Sequence, residues 1–206
     1  MMPEPKHPGL NLGHRHPEAH DAAERVLFGF WVFLMSDLIL FGLVFATYAS
    51  MDNAMGRAGG PGPTDLFSLT SIMTQTAVLL FSSYTFGLAS LALKYDSKRL
   101  SRWLVLTLVL GASFLLLEAR DFLGMAASGA LPERSGWLSA LWTLVGLHGL
   151  HVLSACIWLV VMLIQIRILG LTTVVKTRLL RLGLFWHFLD IVWIGVFSVV
   201  YLRGLS

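Results

Sequence analysis

Apolar residues gather in five long runs, at about 26–49, 70–93, 103–122, 138–166 and 179–202, with short polar stretches between them. Each run is long enough, as a helix, to cross the roughly 30 Å hydrocarbon core of a bilayer. None shows the strict apolar–polar alternation of a membrane barrel strand, and a lipid-exposed backbone has to satisfy its own hydrogen bonds. The pattern predicts an all-α, polytopic membrane protein built as a five-transmembrane-helix bundle. The fourth run is longer than a bilayer needs, so it should tilt or project past the interface.

Residues 1–25 break the pattern. They are polar, rich in Pro and His, and lack the apolar segment and small-residue cleavage site of a signal peptide. The chain therefore divides into a tail, 1–25, and a membrane domain, 26–206. His7, His14, His16 and His20 of the tail are read as a solvated stretch with no dedicated ligand.

Composition strengthens the membrane reading: 56% of the 206 residues are hydrophobic and 13% charged, against about 25% charged in soluble domains. The single cysteine, Cys156, lies inside an apolar run, which excludes an internal disulfide, a Cys-x-x-Cys pair and a cysteine-ligated cluster. Placement of Lys and Arg gives direction. Eleven fall in the tail and in the second and fourth connections, whereas only Arg57, Arg120, Arg134 and Arg203 fall on the other side. The positive-inside rule then puts the N-terminus in the cytoplasm and the C-terminus outside.

Polar residues within the runs are the candidate chemistry, because ionisable groups in a membrane are costly. Counting along each helix places Asp37, His148, His151, His187 and Asp190 in one layer near the midplane. Glu118 counts as nearer the outer surface, followed by Arg120 and Asp121. A shared layer allows acids and imidazoles on different helices to satisfy one another, as a clasp between helices. The same residue types also serve as proton relays. A third reading is a haem- or metal-binding anchor using His148, His151 and His187, although no repeated pair of facing histidines suggests stacked haems.

Other features add less. Trp31, Trp103, Trp137, Trp142 and Tyr201 lie near run ends, as an interfacial aromatic belt would. "FSSYTFGLAS", residues 81–90, sets small residues along one helix, which suits close packing. No nucleotide-binding glycine loop, nucleophile elbow or basic–aromatic patch is present, so nucleic acid is not an expected partner and catalytic residues are not assigned.

Three motifs in three runs carry a resemblance. "FGFWVFLMSDLILFGLVFATY" in the first run, "GLHGLHV" in the fourth and "FWHFLDIVWIGVFSVVYL" in the fifth resemble subunit III of the haem–copper oxidases. With "PERSGWLSA" ahead of the fourth run, the likeness is to the bacterial cytochrome o ubiquinol oxidase branch of that family, from about residue 26 to the C-terminus. The resemblance implies a noncatalytic subunit with no cofactor or metal of its own, packed against a catalytic subunit I that holds haem and copper, among the other subunits of a proton-pumping quinol oxidase. It implies support of assembly, lasting turnover and proton uptake, and contact with membrane lipids, bound phospholipid included. Subunit III of a cytochrome c oxidase is the alternative within the family. Seven-span relatives carry two further helices and a lipid-holding cleft, and this chain matches only their last five. Asp37 falls where those relatives place a carbodiimide-reactive Glu, on a side chain one methylene shorter. Gln75 stands where some relatives have Glu.

Overall fold

The computed structural model describes residues 16–66, 68–94 and 99–205. Five long helices make up the bundle: α1 (His16–Met51), α2 (Leu69–Lys94), α3 (Leu100–Ala127), α4 (Gly136–Leu169) and α5 (Thr173–Val196). The last continues through a π-helical turn, Phe197–Leu202. All five are long and apolar enough to span a membrane, and no strand occurs among the described residues.

The helices outrun the apolar runs at several ends. α1 starts at His16, ten residues before the run at 26, so the last ten residues of the expected tail are helical. His7 and His14 lie outside the described residues, and the side chains of His16 and His20 do too. α5 starts six residues early, with Thr172 as its N-cap accepting a hydrogen bond from Val175 N. The cause is general: hydrogen bonding continues a helix into water, whereas hydropathy marks only the part that lipid can cover. At 34 residues α4 is roughly 51 Å long, well beyond the hydrocarbon core. Gly170 ends it at φ +66°, a left-handed conformation that glycine adopts without steric cost.

Connections are short, so α2 to α5 run up and down as sequence neighbours. The α2–α3 interface is the most extensive, followed by α4–α5 and α3–α4. α1 crosses back onto α4 and α5 and is the least buried span. Central apolar residues include Phe41, Phe86, Phe114, Leu144, Trp193 and Val196. Close approach between helices occurs where a Cβ is missing: Trp186 lies over Gly111, and Phe86 over Gly183. The aromatic belt needs correction. Trp31 is exposed, but Trp137 and Tyr201 are buried in the core, because the helices extend past the ends at which hydropathy falls. The small-residue segment is also divided. Ser82, Thr85 and Ala89 face inward, with Thr85 Oγ1 2.8 Å from Thr107 Oγ1, whereas Gly87 looks onto open space.

Candidate functional site: a polar layer across the bundle

The residues of the expected layer make separate contacts and not one network. On α1 and α4, His151 Nε2 lies 3.3 Å from Asp37 Oδ2, and its other nitrogen, Nδ1, donates to the Leu147 carbonyl at 2.7 Å. Phe41 and Phe185 flank the imidazole. Asp37 Oδ2 makes no aligned hydrogen bond, so the carboxyl is held by close approach to one ring edge.

His148, one turn away on α4, takes a different partner, on α5. It is fully buried, its Nε2 donates to the Leu189 carbonyl of α5 at 3.3 Å, and its ring packs between Phe114 and Trp193. Among the described residues no acid pairs with it. An interior imidazole finding a carbonyl and two aromatic faces is a packing element of the core. Trp193 is itself fixed by donation from Nε1 to Thr76 Oγ1 at 3.1 Å.

A second acid–imidazole pair lies within α5, and Ser83 ties it to α2. His187 Nδ1 is 2.9 Å from Ser83 Oγ and 3.5 Å from Asp190 Oδ2. Asp190 is buried among Leu79, Val152, Ala155, Trp186 and Leu189 around a gap too narrow for water, and neither carboxyl oxygen makes a hydrogen bond.

Glu118 departs from its counted depth. Its carboxyl packs against Gly149, next to His148, so it belongs to the layer and not to the outer surface. α3 runs five residues past the apolar run, which leaves Glu118 farther from the helix end than hydropathy suggests. Glu118 is buried, Oε1 has no hydrogen-bond partner, and the side chain lies at the floor of a groove of about 370 Å³ with Leu115, Phe122, Gly146, Leu150 and Leu153 among its lining residues.

Farther out, the structure adds a cluster that sequence reading left as isolated residues. Asp121 Oδ2 accepts from Ser71 Oγ at 2.7 Å and from Gln75 Nε2 at 2.6 Å, and Arg120 Nη2 donates to Ser71 Oγ at 2.8 Å. Gln75 is thus a buried donor to a carboxylate, a role that Glu could not fill in ionised form. The only sequence signal was the polarity of Ser71, Gln75 and Asp121 near the outer ends of their runs. Nothing in one sequence brings residues 71 and 121 together.

The three histidines of the metal-anchor reading do not converge. His148 points to a carbonyl on α5, His151 to Asp37, and His187 to Ser83. Among the described residues no group of three His, Cys, Asp or Glu side chains is disposed to hold a metal ion.

Residues 13–205 match the family model described as cytochrome c oxidase subunit III. Curated relatives include the cytochrome bo(3) ubiquinol oxidase subunit 3 of Pseudomonas aeruginosa, 48% identical over 94% of this chain and 92% of the relative. The protein of the same name from Pseudomonas putida is 46% identical over 90% of this chain and 89% of the relative. The quinol oxidase subunit 3 of Bacillus subtilis is 38% identical over 87% and 88%. The match spans all five helices and every residue of the polar layer, and on it the chain belongs to the cytochrome c oxidase subunit III family.

Proposed function

We propose that this chain is the noncatalytic third subunit of a proton-pumping haem–copper ubiquinol oxidase. The observation that carries the reading is the near full-length similarity to proteins named ubiquinol or quinol oxidase subunit 3. Those names favour quinol over cytochrome c as the electron donor of the complex. The geometry agrees with a supporting role, since the histidines are engaged separately by carbonyl, carboxyl and hydroxyl groups. Haem and copper belong, on this reading, to the catalytic subunit I, against which this chain packs among lipids in the bacterial inner membrane. The N-terminus is cytoplasmic and the C-terminus periplasmic.

The polar layer acts as a clasp. Asp37 with His151 links α1 to α4, His148 links α4 to α5, Ser83 with His187 and Asp190 links α2 to α5, and Glu118 against Gly149 links α3 to α4. The first three contacts are polar and tie together α1, α2, α4 and α5, while Glu118 against Gly149 is a close packing contact. In hydrocarbon such contacts have no competing water, so they fix the mutual register of the helices.

The test is deletion of this chain from the oxidase. The haem spectrum of the remaining enzyme should persist, while assembly yield or sustained quinol turnover falls. A complex that oxidises cytochrome c and not quinol would overturn the donor assignment, and loss of haem on deletion would overturn the supporting role.

A further inference from the structure

Four acids fall within the apolar runs, and three of them meet a polar partner. Asp37 lies 3.3 Å from His151, Asp190 lies 3.5 Å from His187, and Asp121 accepts from Ser71 and Gln75. Glu118 is the exception among the described residues: it is only 5% exposed, and its enclosed Oε1 has no hydrogen-bond partner. The neighbouring imidazole of His148 is already committed to the Leu189 carbonyl. A buried carboxyl without a hydrogen bond is costly, and inside a span such a group points to a function.

The bundle leaves room for the missing partner. Glu118 floors the groove of about 370 Å³ between α3 and α4. Its walls fall inside the apolar runs 103–122 and 138–166, so the groove opens to hydrocarbon. Leu150 and Leu153 line it and are exposed. Gly149 leaves space for the carboxyl itself, and a Cβ at Gly146 would meet only Phe122 Cζ, at 3.9 Å. Apolar walls around one polar group, in a volume of this order, are the usual form of a small-molecule site.

The occupant has to dissolve in hydrocarbon and bring a hydrogen-bond donor to the carboxyl. A phospholipid keeps its polar head at the interface and offers only acyl chains here. A transmembrane helix, about 10–12 Å across, is too broad to sink into the groove. A ubiquinol meets both conditions, as a flat ring with two hydroxyl donors on an apolar tail. We infer that the α3–α4 groove over Glu118 is a ubiquinol-binding site, in which a ring hydroxyl donates to the Glu118 carboxyl. This rests on the chain being a subunit of a ubiquinol oxidase. The step is binding alone: quinol enters and leaves in the same redox state, held beside the enzyme that consumes it.

The test is photolabelling of the assembled oxidase in lipid nanodiscs, kept anaerobic, with a ubiquinol analogue bearing a diazirine on the first carbons of its tail. Label should appear in this chain within 115–122 or 146–153, and unmodified ubiquinol should compete it away. Glu118→Leu should lower that label about tenfold, whereas Glu118→Gln, which keeps an acceptor oxygen, should retain most of it. Leu150→Trp fills the groove from an exposed position and should also remove the label, so the test stands even where Glu118→Leu assembles poorly. Val109→Trp, at an exposed position elsewhere on α3, should leave it unchanged. Label confined to other subunits overturns the site, and so does label that Leu150→Trp and an assembled Glu118→Leu enzyme both keep. A wild-type complex that neither oxidises ubiquinol nor takes up label on any subunit would instead sink the ubiquinol oxidase reading itself.

Discussion

His151 meets Asp37 with one edge of its ring only because the other edge is already committed. Nδ1 donates to the Leu147 carbonyl, which accepts and cannot donate. Nε2 is left to face Asp37 Oδ2, 3.3 Å away and without an aligned hydrogen bond, so acid and imidazole bridge α1 and α4 by close approach.

Asp37→Asn should leave that contact intact, since an amide N–H can donate to Nε2. The assembled variant should show near-normal initial quinol oxidation and proton pumping. Immediate loss of pumping in a fully assembled enzyme would establish a relay and remove the clasp. Asp37→Leu strands Nε2 and should cost about 1–3 kcal/mol in thermal unfolding. His151→Leu should be similarly damaging, against little effect from Arg102→Ala on an exposed helix position.

Gly149→Ala tests the packing of Glu118. A Cβ there would run into the Glu118 carboxyl, and into Cδ at 2.9 Å. The expected cost is about 1–3 kcal/mol of stability, whereas Gly29→Ala, with nothing within 4 Å, should be neutral or slightly stabilising. Combining Gly149→Ala with Glu118→Ala should recover part of the loss. Additive melting-temperature shifts would show that the two residues are not coupled.

Reporter fusions check the direction of the bundle. Alkaline phosphatase fused in the 128–131 connection should be active, and fused after Gly170 it should be inactive. The reverse pattern would overturn the orientation drawn from the basic residues.

Metal analysis checks the histidines. The purified chain, with residues 1–15 removed, should bind no stoichiometric haem or copper, and treatment with a chelator should leave its melting temperature unchanged. One tight ion per chain, lost in a His148 or His151 variant, would restore the anchor reading.

Hydropathy along the chain was enough for the five spans, because lipid imposes on each helix a length and an apolar composition that a single sequence records. The motifs around Asp37, His148 and Asp190 were enough for the family, which comparison with relatives bears out. The ionisable residues within the spans were also conspicuous, since hydrocarbon makes such groups costly.

Partnerships within that layer needed the tertiary structure. His148 and His151 sit three residues apart on one helix, yet one turns to the Leu189 carbonyl and the other to Asp37. Glu118 joined the layer only through the offset of α3 against α4, and Asp121 met Ser71 and Gln75 across fifty and forty-six residues of chain. The physical reason is the same each time. Depth along one helix follows from counting residues at a fixed rise, but rotation about its axis and sliding against a neighbour follow from packing. Gly111, Gly149 and Gly183 set those offsets by leaving out a Cβ, and which side chain would fill each gap is decided only when the helices are together.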